Sequence, residues 1–403
     1  MSNGVRTYLR SRTLPKSVGY RYAVLGSGRQ GTAAAFDLAV NGDADVVLLG
    51  DVDASLARSA AKRVNRLSGG STARAVKVDV TKRDAVVRAL RGIDVFVSAV
   101  PYRYNLSLAR WAVAAKASMV DLGGNTAVVR KELALNAAAK RAGIAIVPDC
   151  GMGPGANITL AVYAMGLLDH PVAVHIYDGG LPQRPKPPWN YEMLFDAEGL
   201  VNEYTGTATF LREGRRVEVP ALTEPEEIAF APLGTLEALV TSGGLSTMPW
   251  TYGGKLRTLE NKTLRYPGHW AQVRAFADLG LFSERPVAIG GRKVVPRDVF
   301  KALFVPRVSS GEPRDVAMTR VVCKGEKGGH SAEAVVDLVD WYDEATGFRA
   351  MERVTGWHAS IVAAMIARGE IRPGAHSVEK GVPPKRFVDE ARARGLAITT
   401  RVN

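Results

Sequence analysis

A glycine pattern near the start of the chain could hold a phosphate group. It follows an apolar run and reads G-x-G-x-x-G, with the residues Gly26, Ser27, Gly28, Arg29, Gln30 and Gly31. In such a pattern the first glycine permits a tight turn, the second lets the backbone approach a pyrophosphate, and the third lets a helix pack closely on a strand. The N-terminus of that helix presents N–H groups that bind anions. The pattern therefore predicts a dinucleotide-binding turn.

Asp51 stands at the end of the next apolar run, where a carboxylate would meet the adenosine ribose. Such a group accepts hydrogen bonds from both ribose hydroxyls and repels a 2′-phosphate, so the sequence favours NAD over NADP. Later strand ends should complete the cleft, because ligands of open parallel sheets bind at the carboxyl ends of the strands. We expect Asp79 and Val80 beside adenine, Ala99, Val100 and Pro101 beside the nicotinamide ribose, and Leu122 and Gly123 beside the nicotinamide ring.

Candidate catalytic side chains lie mainly in a polar run at residues 259–269. Arg265 offers a guanidinium for a carboxylate, and His269 offers an imidazole that titrates near neutral pH. Asp121, beside the expected nicotinamide turn, is a second candidate for a catalytic base. Arg184 is an alternative residue for binding a carboxylate. The sequence therefore leaves two candidates for each role.

A doubly wound parallel sheet of the α/β class would position the glycine turn. Between residues 22 and 150, short β-branched runs alternate with amphipathic helical patterns, an alternation typical of such sheets. Several runs are apolar without interruption, as expected for parallel strands that are buried on both faces. The predicted strands cover residues 22–25, 46–49, 75–78, 94–100, 118–122 and 144–147.

The alternation stops after residue 150, and the following part predicts a mixed α+β sheet domain. A long helix from residue 351 and a last helix at 386–394 are expected to return to the first domain, which makes the sheet domain an insertion. The predicted division of the chain is a flexible N-terminal extension at 1–21, a nucleotide-binding domain at 22–150, an inserted sheet domain at 151–345 and C-terminal helices at 346–403.

Composition excludes several other classes of protein. The chain has 403 residues, of which 46% are hydrophobic and 23% charged, which are ordinary globular values. No apolar run is long enough for a membrane helix, and two cysteines exclude a disulfide scaffold. Cys150 is interpreted as a buried residue, with a nucleophile as the alternative. The histidines are scattered, so no metal site is predicted.

The net charge of +13 is spread along the chain rather than clustered. A dispersed excess favours attraction of small anions over specific binding of nucleic acid, and a polyanion-binding protein is kept as an alternative. We predict a cytoplasmic protein with a small-molecule substrate and without a specific nucleic acid or membrane partner.

Several blocks in order along the chain resemble the saccharopine dehydrogenase-like superfamily, and are most similar to its lysine 6-dehydrogenase branch. These blocks are residues 148–155, 178–182, 198–204, 241–244 and 262–269, within a resemblance that runs from residue 22 to near the C-terminus. Residues 245–254 match nothing in that pattern. The resemblance implies a Rossmann domain with an inserted sheet domain through which subunits form a homodimer or homotetramer.

The resemblance also implies NAD-dependent oxidative deamination of the side-chain amine of L-lysine. The product would be 2-aminoadipate 6-semialdehyde, which cyclises to a piperideine carboxylate, together with ammonia. Hydride can leave only a carbon that bears a neutral amine, and deprotonating an ammonium of pKa about 10.4 at pH 7 costs roughly 4.6 kcal/mol. His269 or Asp121 would supply the base, and Arg265 or Arg184 would hold the α-carboxylate.

Two alternatives to lysine oxidation remain open. One is a reductase that condenses an amine with an oxo compound, as in the formation of saccharopine or carboxynorspermidine. The other is a non-catalytic NAD-sensing protein that keeps the fold without turnover.

Overall fold

The computed structural model of the chain describes residues 19–309, 311 and 314–403. The extension predicted for residues 1–21 lies almost wholly outside them. In the first part of the chain the elements are β1 (Tyr20–Leu25), α1 (Arg29–Asn41), β2 (Ala44–Asp51), α2 (Ala54–Ser68), β3 (Ala73–Lys77), α3 (Arg83–Ala89), β4 (Val95–Ser98), α4 (Asn105–Ala115), β5 (Ser118–Asp121), α5 (Thr126–Leu133), α6 (Asn136–Ala142) and β6 (Ala145–Val147).

These six strands form one parallel sheet in the order β6-β5-β4-β1-β2-β3. The strand order reverses between β1 and β4, so the crevice that binds ligands in such sheets opens at their carboxyl ends. Residues 22–25 of β1 are fully buried, which explains why this strand is apolar without interruption. The predicted doubly wound α/β class is confirmed, and each predicted strand is present with its ends moved by a few residues.

The second part of the chain forms a mixed sheet, as predicted. Its elements are α7 (Ala156–Met165), β7 (His170–Pro182), α8 (Ala197–Glu203), β8 (Thr207–Arg212), β9 (Arg215–Pro220), β10 (Glu226–Phe230), β11 (Gly234–Val240), α9 (Met248–Tyr252), β12 (Thr258–Arg265), α10 (His269–Asp278), β13 (Val287–Ile289), β14 (Arg292–Val294), α11 (Pro296–Phe304), β15 (Asp315–Lys327) and β16 (His330–Trp341). The strand order is β10-β11-β12-β7-β15-β16, and β8 joins β12 and β9. Within it β12 runs parallel to β7, and the other pairs are antiparallel.

The C-terminal part returns to the first domain, as predicted, and also contains strands that the sequence pattern did not indicate. Its elements are α12 (Ala350–Ala367), β17 (Gly374–Ala375), α13 (Val378–Gly381), α14 (Pro384–Ala393) and β18 (Ala397–Val402). Helix α12 lies so close to α1 that a Cβ atom at Gly356 would be 2.8 Å from the Gln30 carbonyl oxygen. Strand β17 extends the parallel sheet beyond β6, whereas β18 pairs with β16 in the mixed sheet.

The C-terminal segment therefore ties the two sheets together. Strand β18 was missed because its pairing with β16 joins residues that are far apart in sequence. Among the described residues, no helix is long and apolar enough to cross a membrane.

Candidate active site

The glycine turn between β1 and α1 has the shape that a pyrophosphate requires. Gly26 has a φ of 100°, and a Cβ atom there would be 2.4 Å from the Ala99 carbonyl oxygen. A Cβ atom at Gly31 would be 1.9 Å from the Gly26 carbonyl oxygen, so neither position accepts a side chain. Gly28, by contrast, has no atom within 4 Å of its Cβ position. The turn is therefore tightly packed at Gly26 and Gly31 and open at Gly28, which leaves room for the pyrophosphate of a bound dinucleotide.

The adenosine end of this crevice carries two fixed carboxylates. Asp51 accepts hydrogen bonds from the backbone N–H groups of Ser27 and Asp53, both at 2.9 Å. Asp79 accepts from the side chain and the backbone N–H of Thr81, and these hydrogen bonds lower the pKa of the Asp79 carboxyl group. Asp51 is thus held beside the glycine turn, where its oxygen atoms can also accept hydrogen bonds from ribose hydroxyls.

The other predicted cofactor residues lie at the same carboxyl edge of the parallel sheet. Arg29 and Gln30 begin α1, and its first turn holds no acidic residue that would compete with a phosphate. The remaining predicted positions, all of them partly or fully exposed, are Val80 after β3, Ala99, Val100 and Pro101 after β4, and Leu122 and Gly123 after β5.

Asp121, one predicted base, is sealed beneath the loop that follows β5. Its Oδ1 accepts the backbone N–H groups of Gly123 at 2.7 Å and Asp149 at 3.2 Å, which ties the ends of β5 and β6 together. The opposite oxygen, Oδ2, and both carboxyl oxygens of the buried Glu132 on α5 meet no donor among the described residues. Burial, followed by the charges of Asp121 and Asp149, raises the pKa of Glu132 to about 11. Burial and the neighbouring carboxyl groups therefore favour the protonated form of Glu132.

Asp149 is a further buried carboxyl group at this edge, and the sequence analysis did not single it out. Its Oδ2 accepts a short hydrogen bond from the Ser246 hydroxyl, and its Oδ1 lies 2.4 Å from the Cβ position of Gly123. Burial, followed by the charge of Asp121, raises the pKa of Asp149 to about 8. Asp149 can thus change its protonation state within the working range of an enzyme.

A cavity of about 160 Å³ lies between the two domains beside this carboxyl group. Thr126, the first residue of α5, contributes the wall from the nucleotide domain, and Ser246 and Asn261 contribute to the wall from the sheet domain. The other lining residues are Thr207, Ala208, Thr209, Phe210, Thr241, Gly243, Gly244, Leu245 and Trp250. The cavity therefore extends from the start of α5, next to the loop where the nicotinamide ring is expected, to the face of the mixed sheet.

Polar side chains continue from this cavity along the mixed sheet. Asp178 on β7 is buried, and its Oδ2 accepts hydrogen bonds from the side chains of Asn157 at 2.9 Å and Asn261 at 3.1 Å. Burial raises the pKa of Asp178 to about 6, against the effect of those two hydrogen bonds. Asn157 also donates to the Gly244 carbonyl oxygen at 3.0 Å, so it connects the start of α7 to the cavity wall.

Arg265 lies on β12 with the same side-chain parity as Asn261, at the far end of this polar face. It is 2% exposed, and its Nη1 donates to the Leu264 carbonyl oxygen at 3.0 Å. Its Nη2 is 3.6 Å from Glu203 Oε2, and the guanidinium lies 5.2 Å and 5.5 Å from the ring centres of Tyr191 and Trp270. Burial raises the pKa of Glu203 to about 7, although Arg265 opposes this shift. A buried guanidinium paired with one weakly acidic carboxyl group suits the binding of another carboxylate.

His269 is packed beside Arg265 and has both ring nitrogens occupied. Its Nδ1 is 3.2 Å from the Trp189 carbonyl oxygen, and its Nε2 is 3.1 Å from the Tyr204 hydroxyl. Because a carbonyl oxygen only accepts, Nδ1 carries the hydrogen and Nε2 accepts from Tyr204. Burial, followed by the charge of Arg265, lowers the pKa of His269 to about 3. The titration near neutral pH expected of this imidazole does not fit these surroundings.

The structure thus brings Arg265 and His269 together and leaves Asp121 at the end of β5. None of these three lines the cavity between the domains, whereas Asn261 and Ser246 do. Arg184 is exposed to solvent. Cys150 is buried with a thiol pKa raised by burial, which fits the interpretation as a buried residue. Within the ranges that the structure covers, no group of three His, Cys, Asp or Glu residues is arranged to hold a metal ion.

Sequence reasoning missed Asp149 and Ser246 for different reasons. Asp149 follows the sixth predicted strand, at the edge where ligands bind, so its position alone could have marked it. Ser246 lies in the segment 245–254, which matched no pattern, and only the tertiary fold brings it to Asp149.

Comparison with known proteins agrees with this arrangement of two domains. Residues 22–147 match the saccharopine dehydrogenase NADP binding domain, and residues 151–396 match the saccharopine dehydrogenase C-terminal domain. The solved apo structure of histidine-tagged saccharopine dehydrogenase (L-Glu forming) from Saccharomyces cerevisiae superposes with a TM-score of 0.78 at 18% identity, covering 96% of this chain and 100% of that chain.

Two curated relatives are similar in sequence, and both are saccharopine dehydrogenases [NADP(+), L-glutamate-forming]. The chain is 23% identical over 316 residues to that of Saccharomyces cerevisiae, covering 73% of this chain and 66% of the relative. It is 23% identical over 290 residues to that of Pyricularia oryzae, covering 69% and 63%. The chain thus spans about two thirds of the length of these relatives. Because the two domain matches cover the nucleotide crevice and the polar sheet face alike, the chain belongs to the saccharopine dehydrogenase family.

Proposed function

We propose that the protein is an NAD-dependent amino acid dehydrogenase that oxidatively deaminates the side-chain amine of L-lysine. The products would be 2-aminoadipate 6-semialdehyde and ammonia. The observation that carries this proposal is the cavity between the domains, which connects the start of α5 with the polar face of the mixed sheet along which Arg265 also lies. A dinucleotide and an amino acid could meet there.

The residues of the glycine turn fit the cofactor. Gly26, Gly28 and Gly31 would hold the pyrophosphate against α1, and Asp51 would accept the ribose hydroxyls. When bound, the nicotinamide ring supplies the acceptor for a hydride. The curated relatives are named for NADP(+). We propose NAD for this chain because the carboxylate of Asp51 would repel a 2′-phosphate.

The amino acid would lie along the polar face of the mixed sheet. Arg265 is buried beside aromatic rings, so a salt bridge from it to the α-carboxylate would be poorly screened by water. Asp178 and Glu203 provide carboxyl groups for the α-ammonium group. The side-chain amine would then point toward the cavity, where Thr126 and Ser246 lie.

A saccharopine-type reaction is the second candidate function, and two observations favour it. The curated relatives carry that activity in their names. In addition, Asn261 at the cavity and Arg265 are four residues apart on one strand, which corresponds to roughly 13 Å. This separation suits a substrate longer than lysine, such as lysine joined to a second amino acid through its side-chain nitrogen.

The test is the absorbance of reduced nicotinamide when purified protein receives an amine and an oxidised cofactor. We expect L-lysine with NAD to give NADH without an added oxo acid, and to give it faster at alkaline pH because more substrate is uncharged. Oxidation of saccharopine with NADP, and not of lysine, would establish the second candidate. Tight binding of a dinucleotide without oxidation of lysine, ornithine, saccharopine or polyamines would instead indicate a non-catalytic NAD-sensing protein.

Two further proposals concern the oligomeric state of the protein and its cellular location. We propose that the mixed sheet domain joins subunits into a homodimer or homotetramer in the cytoplasm. Light scattering of the purified protein measures its mass, and a monomer at micromolar concentration would contradict the proposed assembly.

A further inference from the structure

We propose that Ser246 and Asp149 form a proton relay in which the Ser246 hydroxyl takes a proton from the substrate ammonium group and passes its own to Asp149. This inference rests on the proposed function, because it assigns the base that oxidation of an amine requires. Neither His269 nor Asp121 fits that role. His269 has both ring nitrogens hydrogen-bonded, and Asp121 is sealed beneath Gly123.

The position of Ser246 carries the first part of the argument. Ser246 lines the cavity between the domains, together with Thr126 of the nucleotide domain. Its hydroxyl donates to Asp149 Oδ2 in a short hydrogen bond, which leaves the oxygen lone pairs available to a donor in the cavity. An ammonium group that enters the cavity would supply that donor.

The surroundings of Asp149 carry the second part. Asp149 is 3% exposed, and its Oδ1 has no hydrogen-bond donor among the described residues. The charged groups that face it are carboxyl groups from three other elements, Asp121 of β5, Glu132 of α5 and Glu379 of α13. These acidic neighbours and burial disfavour the ionised form, so Asp149 can receive a proton.

The backbone holds both residues in an uncommon conformation. Asp149 has a φ of 64° and Ser246 a φ of 42°, in the left-handed region that costs a non-glycine residue on the order of 1 kcal/mol or more. The loop after β6 and the loop before α9 thus bring the two side chains into hydrogen-bond contact. Such a conformation at a polar contact is typical of functional sites.

The proton balance of the reaction is consistent with this relay. The N–H proton of the substrate ammonium moves to Ser246 Oγ while the hydroxyl proton moves to Asp149, leaving a neutral amine and a carboxylic acid. Hydride then leaves the adjacent carbon for the nicotinamide cofactor, and water converts the resulting iminium ion to aldehyde and ammonium. Asp149 releases the remaining proton to solvent, which is the one proton that the overall oxidation produces.

Kinetics on three variants test the relay in the oxidation of L-lysine by NAD. We expect Ser246→Ala to lower kcat by about 100-fold or more, the usual size of a general-base contribution, and to remove the rise of kcat toward pH 8. Asp149→Asn keeps the shape of the side chain and tolerates the left-handed backbone, but it cannot accept the proton, so it should lower kcat to a similar extent. Ser360→Ala is the matched control, because Ser360 donates to the buried Asp37 at 2.5 Å outside the cavity. This control should keep the wild-type pH profile.

An infrared titration tests the same pair without turnover. The carbonyl band of a protonated carboxylic acid, taken as the difference between wild type and Asp149→Asn, should disappear with a midpoint at about pH 8. In Ser246→Ala the midpoint should rise, because the carboxylate loses a hydrogen bond that stabilises it.

The outcomes separate the relay from the proposed function. If wild type oxidises lysine and Ser246→Ala retains its rate and pH profile, the relay is wrong and the function stands. If no amine is oxidised but the band titrates at about pH 8, the function fails and Asp149 stands as a proton acceptor. A carboxylate that stays ionised from pH 6 to pH 10 overturns the relay in either case.

Discussion

The glycine turn and the cleft beside Asp149 lie at the same edge of one parallel sheet, but they are built differently. The turn consists of six consecutive residues, Gly26 to Gly31, in which Gly26 and Gly31 are explained by atoms of the turn or of the adjacent loop after β4 and Gly28 borders open space. The cleft joins Asp149, Ser246 and Glu132, which come from three elements and two domains. Cofactor binding is therefore encoded locally, whereas the chemistry at the amine depends on how the domains pack.

The largest effect should come from adding one methyl group to the turn. In Gly31→Ala the new Cβ atom would be 1.9 Å from the Gly26 carbonyl oxygen. We expect the free energy of unfolding to fall by about 3 kcal/mol or more, since overpacking against backbone has little room to relax. Calorimetry should detect no binding of NAD.

Gly28→Ala separates binding from folding at the same turn. The Cβ position is empty, so Tm should not change, but affinity for NAD should fall about 100-fold because the methyl group occupies the pyrophosphate space. Gly70→Ala is the control, since its Cβ would meet only Ser68 Oγ at 3.5 Å and should alter neither quantity. Equal affinities of wild type and Gly28→Ala would mean that no pyrophosphate lies there.

The next effect concerns the polar face of the sheet domain. Arg265→Ala should raise KM for L-lysine by about 100-fold, the size of a lost charged hydrogen bond, with Kd for NAD unchanged. Arg212→Ala is a matched control, because Arg212 pairs with Glu224 and Glu260. Loss of NAD binding in Arg265→Ala would mean that Arg265 supports the cofactor site rather than the site for the amino acid.

A smaller effect is expected at the adenosine end of the crevice. Asp51→Ser should raise Kd for NAD about 10-fold, because serine keeps only one hydroxyl for the ribose. It should also reduce the preference of the protein for NAD over NADP, because it removes the charge that repels a 2′-phosphate. Asp53→Ser is the control, since serine also caps α2. A chain that prefers NADP before the substitution would contradict the cofactor assignment.

The smallest effect is a slope of stability against pH. Glu132 has a pKa raised to about 11 in the folded state by burial, against 4.5 as its ordinary value, so the folded state binds the additional proton between these values. Its contribution to the free energy of unfolding therefore falls as pH rises through this range. Glu132→Gln should reduce this slope between pH 6 and pH 9 in urea unfolding, whereas substitution of the exposed Glu227 by Gln should leave it unchanged.

The fold was predictable from sequence to the extent that its signals are local. The alternation of apolar runs and helices indicated the parallel sheet, because each run and each helical pattern can be read from neighbouring residues. Strand β18 gave no such signal, because its partner β16 is distant in sequence, so its six residues could not be distinguished from an irregular C-terminal segment.

The site was predictable only in part, for the same reason. The types of Arg265 and His269 indicated chemistry, but the low pKa of His269 depends on burial beside Arg265, which is a property of the packed domain. Likewise, nothing in the neighbouring sequence connects Ser246 with Asp149. Residues that act through long-range contacts become visible only when the tertiary structure is known.

A crystal structure of the protein with NADH and L-lysine tests the central claim most directly. We expect the pyrophosphate over Gly28, the adenosine ribose on Asp51, and the lysine side-chain nitrogen in the cavity within hydrogen-bond distance of Ser246. A dinucleotide bound away from the glycine turn, or an amine bound outside that cavity, would contradict the account.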